Sequence, residues 1–221
     1  MCYNENYRPV GSSQFPLNGS DHHLTKQLIL DHALALFTDK GYEGASMDDI
    51  ARAVGIRKAS LYAHFDGKER IFRALFDDIL AEYERFIHGL TRLSNETAQQ
   101  ALERVFVSFI DYCYDNPKMY FWDRYFYYPP AFLRDFIREK TLETERLFLE
   151  RIRRLMEQGA ESGEICGGDT EGMALSYYYM MIGLSMSVRM YEREDLMRDA
   201  RAAWNGLRLG LERSGGADQR A

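Results

Sequence analysis

The side chains best suited to recognising a ligand lie in a seven-residue segment that begins at Lys58. Lys58 carries a positive charge, Ser60 and Tyr62 carry hydroxyl groups, and His64 carries an imidazole ring. Together these groups donate and accept hydrogen bonds, as contact with base edges and phosphates requires. The segment is therefore a candidate surface for reading nucleic acid.

Two short helices are predicted to hold this surface. Ser46 is placed to cap a helix that starts near Met47, with Asp49 three residues on in a weak form of the capping box. Gly55 supplies a left-handed residue at which that helix ends. A second helix is predicted over Lys58 to His64, because Leu61 and Phe65, four residues apart, would bury its inner face. Such a helix, turn and helix also occurs as ordinary packing in all-α proteins.

The wider segment resembles the TetR-like family of bacterial transcriptional regulators. The resemblance runs from about residue 24 to 75 and is carried by LILDHALALFTDKGYEGASMDDIARAVG and then by SLYAHFDGKERIF. Two positions depart from the family pattern: Arg57 stands where a capping Ser or Thr is common, and Ala59 where Gly or Pro is common. Since both positions border the proposed DNA face, the operator sequence cannot be copied from relatives.

The resemblance implies a DNA-binding surface made by the second helix and its surroundings. Lys58 and Tyr62 are expected to contact bases or the groove, and Ser46, Ser60, His64 and Lys68 to contact phosphates. The full set of predicted DNA-binding residues is Ser46, Arg57, Lys58, Ala59, Ser60, Tyr62, His64 and Lys68.

Composition limits the class of protein. The net charge is −6, so the positive surface needed for phosphate contact must be local, and Arg52, Arg57, Lys58 and Lys68 cluster there. The three cysteines are widely spaced and form neither a zinc-binding pair nor a disulfide framework, which fits a reducing cytoplasm. No secretory signal and no membrane-spanning run is recognised, so a cytoplasmic protein with no membrane partner is expected.

The rest of the chain predicts an all-α fold of about nine helices. Four parts are expected: a disordered tail over 1–20, a three-helix helix-turn-helix domain over 21–68, a helical ligand-binding and dimerisation domain over 69–214, and a frayed end over 215–221. After the helix over Lys58 to His64, six more helices are predicted: Lys68 to Arg92, Ala98 to Tyr114, Lys118 to Tyr127, Ala131 to Gly159, Thr170 to Tyr191 and Glu194 to Arg213.

Aromatic and methionine side chains are concentrated in the second domain. One interpretation is a cavity for a small hydrophobic or aromatic effector, because aromatic faces and pliable thioethers suit such ligands. The alternative is plain core packing. The residues predicted to bind the ligand are Phe86, Tyr112, Trp122, Tyr125, Phe126, Tyr178 and Met181.

The resemblance also implies a homodimer in which the last two helices pair with those of the partner. The residues predicted at this interface are Tyr177, Leu184, Val188, Trp204, Leu207 and Leu211. Their apolar stripe would equally suit the core of a single chain. A two-fold dimer would place two reader helices about one DNA turn apart, roughly 34–36 Å or slightly more, and so would require a palindromic operator on double-stranded DNA.

No catalytic site, metal site or cofactor is predicted. The five histidines include no Glu-x-x-His pair, and neither a P-loop nor a nucleophile elbow occurs. The expected function is therefore a sequence-specific transcriptional regulator, a repressor released from its operator by a small molecule. Two alternatives remain open: a helical protein-interaction module, and a redox-sensing regulator that uses Cys113 or Cys166.

Overall fold

A computed structural model of the protein describes residues 22–92, 96–114 and 116–212. Within these ranges the chain forms nine α-helices and one 3₁₀ turn, and it contains no β-strand. The predicted all-α fold is confirmed. The tails predicted over 1–20 and 215–221 lie outside the described residues.

The helices follow one another through short connections. Their bounds are α1 His22–Gly44, α2 Met47–Val54, α3 Lys58–His64, α4 Lys68–Leu90, α5 Ala98–Cys113, α6 Pro117–Tyr127, α7 Arg134–Glu161, α8 Thr170–Ser185 and α9 Arg193–Glu212. The 3₁₀ turn, Ala131–Leu133, precedes α7 directly.

The first core lies between α1, α2, α3 and the first half of α4. Phe72 of α4 is at its centre, with its ring centroid 5.5 Å from that of Phe37, 5.5 Å from that of Tyr42 and 4.7 Å from that of Tyr125. The same core takes in Phe121 and other side chains of α6 and α7. Helices α6 and α7 are therefore packed against α1 and α4, and α1 in turn packs against α2.

The second core lies between the far end of α4 and helices α5, α7, α8 and α9. Ile87 and Leu90 of α4 are buried in it, whereas Ile71 and Leu80 belong to the first core. One continuous helix thus contributes to both cores. A displacement of α4 would therefore move side chains in both cores.

Helix α6 connects the two cores from a second direction. Phe121 and Tyr125, four residues apart, are buried in the first core. Trp122, one position on from Phe121, packs against both cores. At the start of α6, Lys118 forms an ion pair with Glu82 and lies 3.7 Å from Asp78, both on α4. Helix α6 is consequently held to α4 by charge as well as by aromatic contacts.

The end of α8 differs from the sequence prediction. A helix to Tyr191 is expected, but α8 ends at Ser185. Beyond it, the N–H groups of Ser187, Val188 and Met190 donate to carbonyls only three residues back. The Ser185 hydroxyl also donates to the Ile182 carbonyl at 2.8 Å, in competition with the helical pattern. The last turns therefore tighten, and the chain leaves the helix direction earlier than its apolar pattern suggests.

Candidate nucleic-acid interface and ligand cavity

Helix α2 is fixed at both ends by the residues that the sequence singles out. The Ser46 hydroxyl accepts the Asp49 N–H at 3.1 Å, and the Asp49 carboxylate accepts the Ser46 N–H at 3.1 Å, which is a complete capping box. The Ser46 hydroxyl also donates to the Asp49 carboxylate at 2.6 Å, and this bond, followed by the bond from the Ser46 N–H, lowers the pKa of the Asp49 carboxyl. Gly55 ends the helix with φ 78° and ψ 25°, in the left-handed region. The turn between α2 and α3 is thereby set by two local features.

Helix α3 presents one face to the core and the other to solvent. Leu61 is fully buried, and Phe65, directly after the helix, is 6% exposed. On the outer side Lys58, Ser60 and Tyr62 are exposed, the Tyr62 ring to 45%. The predicted polar face of α3 is thus accessible to a partner. Ala59 is exposed on it as well, and His64 is half-buried at its end.

The cations around α3 have different surroundings. Lys58 Nζ donates to the Asp48 carboxylate at 2.9 Å, and this hydrogen bond raises the pKa of the Lys58 ammonium. Arg57 is exposed at the N-cap position, where its side chain makes no capping hydrogen bond. The Arg57 guanidinium is therefore accessible to an approaching phosphate.

Lys68 is engaged within the protein. Its Nζ donates to the carbonyl oxygens of Tyr42 and Ala45 at 2.6 and 2.9 Å, and it lies 4.2 Å from the centre of the Tyr42 ring. These contacts tie α4 to the link between α1 and α2. An ammonium has three N–H groups, so one remains for a phosphate. The predicted phosphate contact of Lys68 stays a prediction, beside a structural role that the sequence did not indicate.

A cavity of about 130 Å³ lies in the second half of the molecule, between α4, α5, α6, α7 and α8. Its aromatic walls are Tyr83, Phe109, Trp122, Phe126, Tyr127 and Tyr178. Met119, Met186, Ile182 and Val188 add apolar surface, and Thr141, Thr144 and Ser185 add hydroxyl groups. The cavity therefore suits a largely apolar ligand that carries a few polar contacts.

Two carboxylates also line this cavity, Asp123 of α6 and Glu145 of α7. Asp123 accepts from Arg189 at 2.8 Å, and Glu145 accepts from the Tyr179 hydroxyl at 2.9 Å. Burial raises the pKa of the Asp123 carboxyl, and the charge of Arg189 opposes that rise in part. Sequence analysis did not select either acid, because charged residues on amphipathic helices are usually solvated.

The residues predicted to bind a ligand are divided by the structure. Trp122, Phe126 and Tyr178 line the cavity. Tyr125 does not line it, because its side chain lies in the first core and its hydroxyl donates to the Phe37 carbonyl. Met181 is fully buried in the second core.

Phe86 and Tyr112 also lie away from the cavity wall. They stack on each other with ring centroids 3.9 Å apart, and burial raises the pKa of Tyr112 to about 12. The stacked faces of these two rings contact each other and are not available to a ligand in the cavity.

The residues predicted at a dimer interface are mostly interior. Tyr177 and Trp204 are fully buried, and Val188 and Leu211 are 7% and 4% exposed. These four side chains pack in the second core of one chain, because α9 lies against α5. Their apolar stripe predicts a buried face, and within one chain the surface that this face meets belongs to the same molecule.

Other side chains of α8 and α9 are accessible to a partner. Leu184 and Leu207, also predicted at the interface, are half-buried. Leu175 and Leu209 are exposed to 37% and 46%. These positions are available for contact with a second copy.

Metal and thiol chemistry find little support in the described part of the chain. Within residues 22–92, 96–114 and 116–212, no group of three or more His, Cys, Asp or Glu side chains is arranged to hold a metal ion. Cys113 and Cys166 are free thiols, buried and half-buried respectively. Burial raises the pKa of the Cys113 thiol far above its usual range, which suppresses the reactive thiolate. Among the described helices, none is long and apolar enough to cross a membrane.

Part of the chain is similar in sequence to known proteins. Residues 29–75 match the family of bacterial regulatory proteins called the tetR family. Over 95 residues the chain is 35% identical to the biofilm operon icaADBC HTH-type negative transcriptional regulator IcaR of Staphylococcus epidermidis, an alignment that covers 43% of this chain and 49% of the relative. The chain thus spans about half the length of the curated relatives it matches.

Solved structures resemble this protein over a larger share of the chain than the curated relatives do. The TetR family transcriptional regulator PfmR from Thermus thermophilus superposes with a TM-score of 0.63 at 25% identity, over 84% of this chain and 96% of that one. The transcriptional regulator FadR from Bacillus subtilis, solved in complex with stearoyl-CoA, superposes with a TM-score of 0.64 at 19% identity, over 84% of this chain and 98% of that one. At that identity the likeness to FadR concerns the fold.

The helix-turn-helix and the helical second half are arranged as in solved TetR family regulators. The match to the tetR family covers the helix-turn-helix, and the likeness to the solved structures covers both halves of the molecule. The relatives and solved structures named above are transcriptional regulators.

Proposed function

We propose that the protein is a transcriptional repressor that binds a palindromic operator as a homodimer and is released by a small molecule in the α4 to α8 cavity. The observation that carries the proposal is the outward face of α3. Lys58, Ser60 and Tyr62 are exposed there, while Leu61 holds the helix to the core. Repression, rather than activation, follows the negative regulation named for the IcaR relatives.

Homodimerisation is supported by surface that one chain leaves uncovered. Leu175 of α8 and Leu209 of α9 are exposed apolar side chains. A methyl group added to Gly183 or Gly206 would meet no atom within 4 Å, so the surface beside these residues is open. A second copy can therefore approach both helices closely. Two-fold pairing would present two α3 helices to one face of DNA.

Helix α6 is the proposed connection between ligand and DNA. Trp122 and Phe126 line the cavity, whereas Phe121 and Tyr125 are buried in the first core, where both rings contact Phe72 of α4. A ligand that displaces Trp122 would therefore move the partners of Phe72 and Phe37. Such a ligand lowers DNA affinity only if it binds better to the arrangement that fits the operator poorly.

DNA binding by variants tests the proposed interface. Lys58→Ala should change the sequence preference, because Lys58 is assigned to base or groove contact. Arg57→Ala should weaken binding to all sequences and reduce the salt dependence by about one ion, as the loss of one phosphate contact does. Arg146→Ala, which removes an exposed arginine from α7, serves as the control. Equal effects of all three changes would contradict the assignment of α3.

A further inference from the structure

The charges that line the cavity are all negative. Asp123 and Glu145 contribute carboxylates, and no Lys, Arg or His of the described ranges lines the cavity. A buried or half-buried carboxylate is stabilised by a nearby positive charge. The electrostatic character of the cavity therefore favours a cation over an anion.

The two carboxylates differ in how their charge is balanced. Asp123 is 2.8 Å from Arg189, whose guanidinium carbon in turn lies 4.1 Å from the centre of the Tyr120 ring. Glu145 receives a neutral hydrogen bond from the Tyr179 hydroxyl and enters no ion pair with the described residues. Glu145 is thus the carboxylate that an incoming cation would neutralise.

The aromatic walls add to this preference. The rings of Tyr83 and Trp122 are nearly parallel, with an interplanar angle of 15° and centroids 6.4 Å apart. Tyr178 and Glu145 both line the cavity, and burial first, then the charge of Glu145, raises the pKa of the Tyr178 phenol. The faces of aromatic rings attract cations.

The size of the cavity limits the ligand. A dry cavity of about 150 Å³ is sufficient for benzene in a protein core, and the cavity here has about 130 Å³. A ring that carries an ammonium group is larger than benzene, so its binding requires adjustments of the side chains around the cavity. The Tyr127, Tyr179 and Met186 side chains are exposed to 44%, 58% and 55%, so they leave room for such adjustments at the rim.

We propose that the cavity binds a lipophilic organic cation, an amine or quaternary ammonium with an aromatic or branched apolar body, and that Glu145 is its counter-charge. The ligand chemistry stands independently of DNA, while its effect on the operator rests on the proposed function. An acyl-CoA such as the one bound to FadR carries several phosphate charges, which Asp123 and Glu145 would repel.

The test compares three ligands of similar size by calorimetric titration of the full chain without DNA, at constant ionic strength. They are benzyltrimethylammonium, its neutral isostere neopentylbenzene, and the anion phenylacetate. The cation is expected to bind at least about tenfold more tightly than either of the others. Glu145→Gln should lower the affinity for the cation about threefold and so reduce its preference over the neutral isostere. Glu143→Gln, an equal charge change on the exposed side of α7, should leave all three affinities unchanged.

Equal binding of the cation and its isostere, tighter binding of phenylacetate, or binding of none of the three would overturn the proposal. Retention of the full preference by Glu145→Gln would overturn the role of Glu145. Tyr179→Phe keeps the carboxylate and should keep the preference, and the wild-type comparison decides the ligand class even if a variant does not fold. If the cation binds but leaves DNA affinity unchanged, the cavity assignment stands and effector-controlled release fails.

Discussion

The hydroxyl group of Tyr125 donates a 3.0 Å hydrogen bond to the main-chain oxygen of Phe37, which joins α6 to α1. The next carbonyl of α1, that of Thr38, accepts from the Arg124 guanidinium at 2.9 Å. Both acceptors lie just before Gly41, where the backbone leaves the helical conformation. Helix α6 lines the cavity on its other side. It is therefore hydrogen-bonded to α1, the helix that packs against α2 of the helix-turn-helix.

Replacement of Tyr125 by Phe tests this connection. The variant keeps the ring but removes the donor, so the free energy of unfolding should fall by about 1 kcal/mol. Operator binding should persist, while an effector should release DNA less completely, because α6 is then attached less firmly. Urea unfolding and DNA titrations with and without effector measure the two effects. Tyr128→Phe, at a position exposed to 81%, is the control and should change neither.

In the proposed DNA complex, Asp48 would compete with phosphate or base oxygens for the Lys58 ammonium, to which it is hydrogen-bonded in the free protein. Replacement of Asp48 by Asn should free that ammonium and remove a negative charge beside α3, so DNA affinity should rise about threefold or more at low salt. Fluorescence anisotropy with one operator duplex, at several salt concentrations, measures the change. Glu143→Gln on α7 is the charge-matched control. Unchanged or weaker binding by the Asp48 variant would show that Lys58 does not move to the DNA.

The break in α1 depends on Gly41. Its φ of 75° and ψ of 171° belong to a region that only glycine occupies readily, and a Cβ there would lie 2.7 Å from Arg124 Nη2. Gly41→Ala should therefore cost about 1–3 kcal/mol of stability. Gly89→Ala in α4, where a Cβ meets no atom within 4 Å, should instead be neutral or add up to about 1 kcal/mol. Thermal unfolding of the two variants distinguishes them, and similar shifts would argue against backbone strain at Gly41.

The surroundings of Cys113 argue against a redox sensor at this position. In a variant in which Cys2 and Cys166 are replaced by Ser, the remaining Cys113 should not react with a disulfide reagent near neutral pH until the protein unfolds. Its burial and raised thiol pKa both suppress the thiolate. The rate at which the reagent releases its own thiol, with and without urea, measures the reactivity of Cys113. Fast reaction of the folded protein would restore the redox hypothesis.

The helix-turn-helix was predictable because its determinants are local. Ser46, Asp49 and Gly55 fix the ends of α2 by bonds and backbone angles within a few residues of one another. Leu61 and Phe65 identify the buried face of α3 by their spacing alone. The sequence therefore predicts α2 and α3 with the bounds that the structure has.

The cavity was only partly predictable because it depends on contacts between distant helices. Trp122 and Phe126 line it, yet Tyr125, one position before Phe126, belongs to another core. Periodicity along α8 and α9 likewise identifies Tyr177 and Trp204 as buried, but an apolar stripe is the same whether its partner is α5 or a second chain.

The proposed function depends on sequence-specific recognition of DNA by α3. Its most direct test is selection of genomic fragments by the purified protein at near-physiological salt with excess nonspecific DNA, alongside a Lys58→Ala, Tyr62→Ala double variant whose folding is checked by circular dichroism. We predict that the wild type enriches fragments sharing a palindrome and that the double variant does not. Enrichment of the same palindrome by both proteins would contradict recognition through α3, and enrichment of none by the wild type would contradict DNA recognition by the unliganded protein.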